Sequence, residues 1–139
     1  MGVKLSDESI RYLTLFESLT GANIKDCIIE EDRIIFVVKK GDMGLAIGKG
    51  GINVEKFREI VGKRVELIEH SDKPEEFIAN VFKPIKVNVK IVERRGKRIA
   101  IVNVNPQYKG LVIGKGGKNI NKAKELARRH YDIDDVIVK

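Results

Sequence analysis

A ten-residue stretch that occurs twice constrains this chain more than any other feature. Residues 44–53 read GLAIGKGGIN and residues 110–119 read GLVIGKGGKN, so the second copy follows the first at an offset of 66 positions. The similarity extends beyond the glycines, since Lys56 recurs as Lys122 at the same offset. Self-similarity at a fixed spacing indicates repeated structural units. Because the spacing is close to half of the 139 residues, it predicts two small domains in tandem.

The boundary between the two domains is predicted just before Pro74. Proline suits the first turn of a helix, and Glu75 adds the negative charge that this turn favours. We therefore predict a first domain over residues 1–72 and a second over residues 73–139.

Apolar spacing and turn residues predict the elements of the first domain. Ser6 suits the N-cap of a helix with one apolar stripe, and Gly21 lies where this helix is expected to end. The remaining predicted elements are strands at 24–29, 33–38 and 64–69, a short helix at 42–47 and a longer helix that ends at Gly62.

The second domain shows the same order of elements. Its predicted elements are a helix from Pro74, a strand at 85–91, a basic turn at 94–98, a return strand at 99–104, a short helix up to Ile113, a helix at 118–130 and a strand at 133–138. Each half therefore has the order helix–strand–strand–helix–helix–strand, and the predicted fold class is α/β (α+β) with one three-stranded sheet per domain.

The positive charge of the chain is concentrated in its second half. The net charge is +7, with −2 on residues 1–72 and +9 on residues 73–139. Such asymmetry is typical of proteins that bind a polyanion, usually nucleic acid. A solvated lysine-rich surface explains the charge equally well, so charge alone leaves both interpretations open.

The repeated Gly-Lys-Gly-Gly segment suits contact with a phosphate. Glycine lets the backbone approach a ligand closely, and the helix that follows presents N–H groups and a positive dipole end. Lys49 and Lys115 each add a charge. Neither copy fits a mononucleotide P-loop, because Gly50 stands where that motif places Ser or Thr, and neither fits the dinucleotide motif, because its third glycine is replaced by Asn53 or Asn119.

The two segments resemble the [IV]-G-x-x-G loop of KH domains, which clamp single-stranded nucleic acid. The order of elements is similar to that of type II KH domains. Two copies with almost no linker resemble the KH pair of the NusA transcription factors, and the chain as a whole is most similar to the short archaeal NusA-like proteins.

This resemblance implies a function and a set of binding residues. It implies an RNA-binding transcription factor that acts on nascent transcripts in termination or antitermination, with single-stranded RNA as ligand and RNA polymerase as a candidate protein partner. RNA is expected to lie over the loop, between the adjoining helices and the last strand. The predicted RNA-binding residues are Ile47, Gly48, Lys49, Gly50, Gly51, Ile113, Gly114, Lys115, Gly116, Gly117 and Lys118.

The residues leave two alternatives open. One is a ribosome-associated or ribosome-assembly KH protein, which would differ in its RNA target. The other is a nucleotide-binding enzyme that uses the Gly-Lys loops. The residues show no catalytic constellation and no ligand spacing for a metal. We therefore predict a protein that is not an enzyme, with no catalytic residues, no metal and no cofactor.

The remaining expectations concern location and assembly. The sequence contains no run of 18 apolar residues, so we expect no membrane span. Residues 1–6 lack the apolar core of a signal peptide. Cys27 is the single cysteine, which fits a reducing compartment. We predict a cytoplasmic monomer without membrane contact.

Overall fold

A computed structural model describes residues 5–139. Residues 1–4 of the predicted domain 1–72 lie outside the described residues. They are also most of the segment 1–6 for which the sequence predicts no signal peptide. The described chain divides into two compact units, residues 5–71 and 72–139.

The first unit carries one three-stranded sheet in the order β1-β2-β3. Strands β1 and β2 are antiparallel, and β2 and β3 are parallel. The three strands have the predicted bounds. The elements in chain order are α1 (Asp7–Thr20), β1 (Ile24–Ile29), β2 (Arg33–Val38), α2 (Met43–Ile47), α3 (Ile52–Val61) and β3 (Arg64–Glu69).

Both ends of α1 are capped as the sequence predicts. The Ser6 hydroxyl accepts a hydrogen bond from the Ser9 N–H at 3.1 Å, which satisfies one of the unpaired donors of the first turn. At the other end, the Gly21 N–H donates to the Glu17 carbonyl at 2.8 Å. These caps fix the length of the helix that packs on the sheet.

Three phenylalanines form the centre of this first core. Phe16 stacks on Phe36 with ring centroids 4.4 Å apart, and Phe57 packs edge-on against both rings at 5.0 and 5.3 Å. All three side chains are fully buried. Because Phe57 lies on α3, this cluster ties the helix after the first Gly-Lys-Gly-Gly loop to α1 and β2.

The second unit repeats this plan with the sheet order β4-β5-β6. Again the first pair of strands is antiparallel and the second pair is parallel. Its elements are α4 (Pro74–Val81), β4 (Asn88–Arg94), β5 (Lys97–Asn103), α5 (Lys109–Ile113), α6 (Lys118–Tyr131) and β6 (Asp135–Val138). Both units therefore have the predicted order of helices and strands.

Three predicted strand starts in the second unit are wrong, because β4 begins at Asn88 and not at residue 85, β5 at Lys97 and not at residue 99, and β6 at Asp135 and not at residue 133. The alternating apolar pattern begins at residue 85, but pairing with β5 begins only at Asn88. The Ile85 N–H donates instead to the Phe82 carbonyl at 3.0 Å, within a turn. Ile133 also lies outside its predicted strand: it is buried, and its N–H donates to the Ala127 carbonyl of α6 at 3.3 Å. Both residues fit an apolar strand pattern, but Ile85 lies in a turn and Ile133 packs at the end of α6.

The basic turn predicted at 94–98 is shorter in the structure. Only Arg95 and Gly96 form the turn, and both have positive φ, the conformation of a two-residue hairpin. Arg98 lies in β5, where its Nη1 donates to the Tyr131 carbonyl at 2.7 Å. Its backbone N–H donates to Asp134 Oδ2 at 2.8 Å. Arg98 therefore joins the hairpin to the end of α6.

A carboxylate next to α2 gives the first unit a pH dependence. Asp42 Oδ2 accepts from the N–H and the Nδ2 of Asn23, at 2.9 and 3.1 Å. The bond from the Asn23 backbone is the main reason why the pKa of Asp42 lies below its ordinary value. A lowered pKa means that this stabilisation is present above the unfolded pKa of about 4 and is lost as pH falls through the folded value.

We therefore expect Asp42→Ala to lower the free energy of unfolding at neutral pH and to lose this effect in acid. Denaturant unfolding of both proteins across the acidic range measures the difference between them. The difference should shrink below pH about 4. A difference that stays constant down to the lowest pH would show that the ionised carboxylate is not its source.

Candidate nucleic-acid interface

The two Gly-Lys-Gly-Gly loops have the same backbone conformation. Gly48 and Gly114 have φ/ψ of 76°/165° and 81°/163°. Gly50 and Gly116 have 65°/17° and 64°/18°. The repeat in the sequence is therefore also a repeat in geometry, with each loop joining a short helix to a longer one.

The first glycine of each loop is required by a close approach. A Cβ on Gly48 would lie 2.8 Å from Asn53 Nδ2, and one on Gly114 would lie 2.9 Å from the Asn119 backbone nitrogen. The same backbone region is accessible almost only to glycine. By contrast, a Cβ on Gly50 or Gly116 would meet no atom within 4 Å, so these glycines lie at the open tip of the loop.

Two asparagines that are not among the predicted site residues hold the loops in place. Asn53 Nδ2 donates to the Leu45 carbonyl and Asn119 Nδ2 donates to the Leu111 carbonyl, both at 2.9 Å. Each bond spans from the first turn of the longer helix to the short helix before the loop. The signal was present in the sequence, because the asparagine is identical at position ten of both copies.

The predicted site residues fall into two groups, one in each unit. The first group runs from Ile47 at the end of α2 to Gly51, and the second from Ile113 to Lys118, the first residue of α6. The lysines at the loop tips, Lys49 and Lys115, are exposed. Each group is contiguous in space because each is one helix–loop–helix turn.

Exposed aliphatic side chains lie beside both loops. Leu45 and Leu111 occupy matched positions and are 52% and 60% exposed, although each belongs to a helix with a buried neighbour. Ile52, at the start of α3, is 49% exposed. A cationic loop with an open backbone beside apolar surface suits a ligand that carries both phosphate and flat apolar rings, as single-stranded nucleic acid does.

The context of the two loops differs from that of a mononucleotide P-loop. The loops join two helices, whereas a P-loop follows a strand. From residue 5 onward, no group of three or more His, Cys, Asp or Glu side chains is arranged to hold a metal. No helix within residues 5–139 is long and apolar enough to cross a membrane.

Comparison with known protein families matches both halves of the chain. The KH domain family matches residues 10–97, and the family described as the NusA-like second KH domain matches residues 74–138. These matches agree with the element order and the loops found in each unit.

Comparison with individual proteins gives relatives along nearly the whole chain. Proteins named "Probable transcription termination protein NusA" are 40% identical in Methanocaldococcus jannaschii, over 98% of this chain and 75% of that protein, and 40% identical in Halococcus morrhuae, over 98% of both. The crystal structure of APE1850 is 34% identical and has a TM-score of 0.83, covering 97% of this chain and all of that one. The chain therefore belongs to the NusA family of KH-domain proteins.

Proposed function

We propose that this chain is an RNA-binding transcription factor that holds single-stranded RNA at both loops and acts on nascent transcripts in termination or antitermination. The observation that carries this proposal is the duplicated loop: two copies of one backbone conformation, each with an exposed lysine, in a member of the NusA family. The predicted domains, residues 1–72 and 73–139, act as the two KH domains.

The loops supply the contacts to the RNA backbone. Lys49 and Lys115 contribute charge-assisted hydrogen bonds to phosphate oxygens, and the glycines beside them let the phosphate approach the main chain. Leu45 and Leu111 contact the bases that follow. The proposed binding set is Ile47, Gly48, Lys49, Gly50, Gly51, Ile113, Gly114, Lys115, Gly116, Gly117 and Lys118.

The proposal extends to partners and location. The chain works as a cytoplasmic monomer, binds without chemical conversion of the RNA, and contacts RNA polymerase while the transcript emerges. Support for the polymerase contact comes only from the NusA name of its relatives.

Crosslinking in cells tests this function directly. Ultraviolet crosslinking of a tagged chain, followed by sequencing of the bound RNA, should recover unprocessed transcripts, and RNA polymerase should copurify. Recovery of mature ribosomal RNA with ribosomal subunits would instead indicate a ribosome-assembly protein. Recovery of no RNA above an untagged control would contradict RNA binding altogether.

The asparagine bonds give a prediction on loop positioning. Asn53→Asp has the same shape, but its ionised carboxylate cannot donate to the Leu45 carbonyl. We expect the chain to stay folded, the amides of residues 48–51 to exchange faster with solvent, and RNA affinity to fall by up to about tenfold, since a hydrogen bond of this kind contributes about 0.5–1.5 kcal/mol.

The matched control is Asn103→Asp, the same exchange at an exposed strand end. Titration of one RNA with both variants separates loop geometry from added negative charge. Equal affinities of the two variants, with unchanged amide exchange in the loop, would show that Asn53 does not position it.

A further inference from the structure

A cleft lies between helix α3 and strand β3 of the first unit. The cleft has a volume of 270 Å³ and is lined by Val54, Arg58, Arg64, Val65 and Glu66. We call it the α3–β3 cleft. Its first lining residue, Val54, follows Asn53 in the first turn of α3, the helix that begins at the first loop.

Strand register identifies the matching positions in the second unit. Arg33 pairs with Arg64 in the first sheet, and Ile99 pairs with Asp135 in the second. Because Ile99 follows Arg33 at the repeat offset of 66 positions, Asp135 stands where the first unit has Arg64. On the helix, Lys124 is the seventh residue of α6, as Arg58 is of α3.

The two units therefore carry different charge pairs between helix and strand. In the second unit, Lys124 Nζ lies 3.4 Å from Asp135 Oδ1, so an ion pair joins α6 to β6. In the first unit, both positions are arginines. Like charges cannot form such a bridge, and Arg58 instead donates to Glu55 on its own helix at 3.2 Å. The α3–β3 cleft is thus not closed by an ion pair between Arg58 and Arg64.

The carboxylates near Arg64 leave its donors largely available. Arg64 Nη2 lies 3.7 Å from Glu66 Oε2 and 3.9 Å from Asp32 Oδ2, and both distances exceed that of a hydrogen bond. Glu66 Oε2 already accepts from the buried Arg33 Nη1 at 2.9 Å. A guanidinium has five N–H donors in a planar fork, so Arg64, which is 59% exposed, can serve an added ligand.

We propose that the α3–β3 cleft selects a guanine base of the bound RNA, with Arg58 and Arg64 as its specificity-determining residues. Guanine presents two adjacent acceptors, O6 and N7, which match an arginine fork, whereas adenine pairs its N7 with an amino donor. The volume is below the range of about 300–1,000 Å³ that drug-sized ligands occupy, so it suits one base. Val54 and Val65 provide the apolar surface for its ring.

The polarity of the neighbouring surface orients this base. Arg58 and Arg64 also line the next cavity, of 440 Å³, together with Lys63 and four carboxylates. Carboxylates repel phosphate, so the RNA backbone stays at the Gly-Lys-Gly-Gly side and the base edge points toward the arginines. Those four carboxylates are Glu31, Asp32, Glu55 and Glu59.

This inference rests on the proposed RNA binding and is tested by changing single atoms of the base. The probes are oligouridine strands of equal length that contain one guanine, one 7-deazaguanine, one hypoxanthine or one adenine in the middle. Hypoxanthine keeps O6 and N7, and 7-deazaguanine lacks N7. The wild-type chain should bind the guanine and hypoxanthine strands about tenfold more tightly than the all-uridine strand, the lower part of what a bidentate contact gives.

Arg64→Asp should remove this preference, because it recreates in the first unit the cation–carboxylate pair of the second. Its affinity for all-uridine RNA should match that of Lys25→Asp, an equal charge change at an exposed residue of the opposite edge strand. Arg58→Gln, which leaves Arg64 in place, should weaken the preference without changing the sign of any charge.

The outcomes separate the two proposals. A preference for guanine that persists in Arg64→Asp and Arg58→Gln, or a wild-type preference for adenine, overturns the guanine site while RNA binding stands. Equal loss of affinity for all strands in folded Arg64→Asp also overturns it, because the arginine would then contact only phosphate. Failure of the wild-type chain to bind any strand would contradict the proposed function itself.

Discussion

Replacing Lys49-Gly50 and Lys115-Gly116 with Asp-Asp is expected to lower the affinity for single-stranded RNA by at least about 100-fold. Hydrogen bonds to charged groups contribute about 1.5–3 kcal/mol each, and two loops lose them together. The new carboxylates also repel the phosphates. The fold should persist, because a side chain at Gly50 or Gly116 meets no atom within 4 Å and aspartate tolerates a left-handed backbone.

The control for this variant changes the same amount of charge elsewhere. Lys25, Lys86 and Lys90 are exposed residues outside the loops, and their joint exchange for Asp also changes the net charge by six units. Binding is measured by fluorescence anisotropy with one labelled strand, and folding by circular dichroism. If the control variant weakens binding as much as the loop variant, net charge rather than the loops governs affinity.

Local patterns in the sequence were sufficient for most of the fold. Strands β1, β2 and β3 and the caps of α1 were predicted with their observed bounds, because alternation, capping residues and glycine act within a few residues of each other. The predicted start of β4 at residue 85 was wrong for a different reason. A strand extends only as far as its partner does. Because β5 ends at Asn103, which pairs with Asn88, β4 cannot begin before Asn88.

Tertiary contacts explain what could not be predicted about charged residues. Arg33 belongs to a strand as expected, but its side chain is 1% exposed and is held by Glu30 and Glu66. Burial lowers the pKa of Arg33, and the hydrogen bonds to the two carboxylates outweigh this, so its pKa lies above the ordinary value. Glu66 is 33 residues away in the chain, so no local pattern could have placed it beside Arg33.

The candidate site shows the same division between local and distant information. The repeated loop motif predicts ten of the eleven proposed binding residues, since the motif is local and occurs twice, and Lys118 follows from its place beside the second loop. It did not lead to Asn53 and Asn119, whose role follows from a bond across the loop. It also did not show that the α3–β3 cleft differs in charge from the matching positions of the second unit, because Asp135 and Arg64 correspond only through strand register.

The surroundings of the two loops differ in charge, which gives a second large effect. The second unit places Lys109 at the start of α5 and Lys118 at the start of α6, where the first unit has Met43 and Ile52. Residues 73–139 carry +9 of formal charge and residues 1–72 carry −2. We therefore expect the second unit to neutralise most of the RNA phosphates that the chain contacts.

This difference should be visible in the salt dependence of binding. For single strands, the logarithm of affinity falls with the logarithm of salt concentration with a slope of about −0.7 per neutralised phosphate, so each contact gives about a fivefold change per tenfold change in salt. Lys115-Gly116→Asp-Asp removes contacts from the more basic unit and should flatten the slope strongly. Lys49-Gly50→Asp-Asp should flatten it less, because its unit relies more on apolar and base-edge contacts, which salt screens weakly.

Titration of one RNA strand with both variants over a tenfold range of salt measures the two slopes. Suppose that Lys115 and its neighbours hold two phosphates more than the first loop. Over a tenfold rise in salt, the Lys49-Gly50→Asp-Asp variant should then lose about 25-fold more affinity than the Lys115-Gly116→Asp-Asp variant, because it keeps those two additional salt-dependent contacts. Equal slopes would mean that the RNA backbone follows both loops alike. The excess charge of residues 73–139 would then lie away from the RNA path, on the exposed face of α6 or on the β4–β5 hairpin.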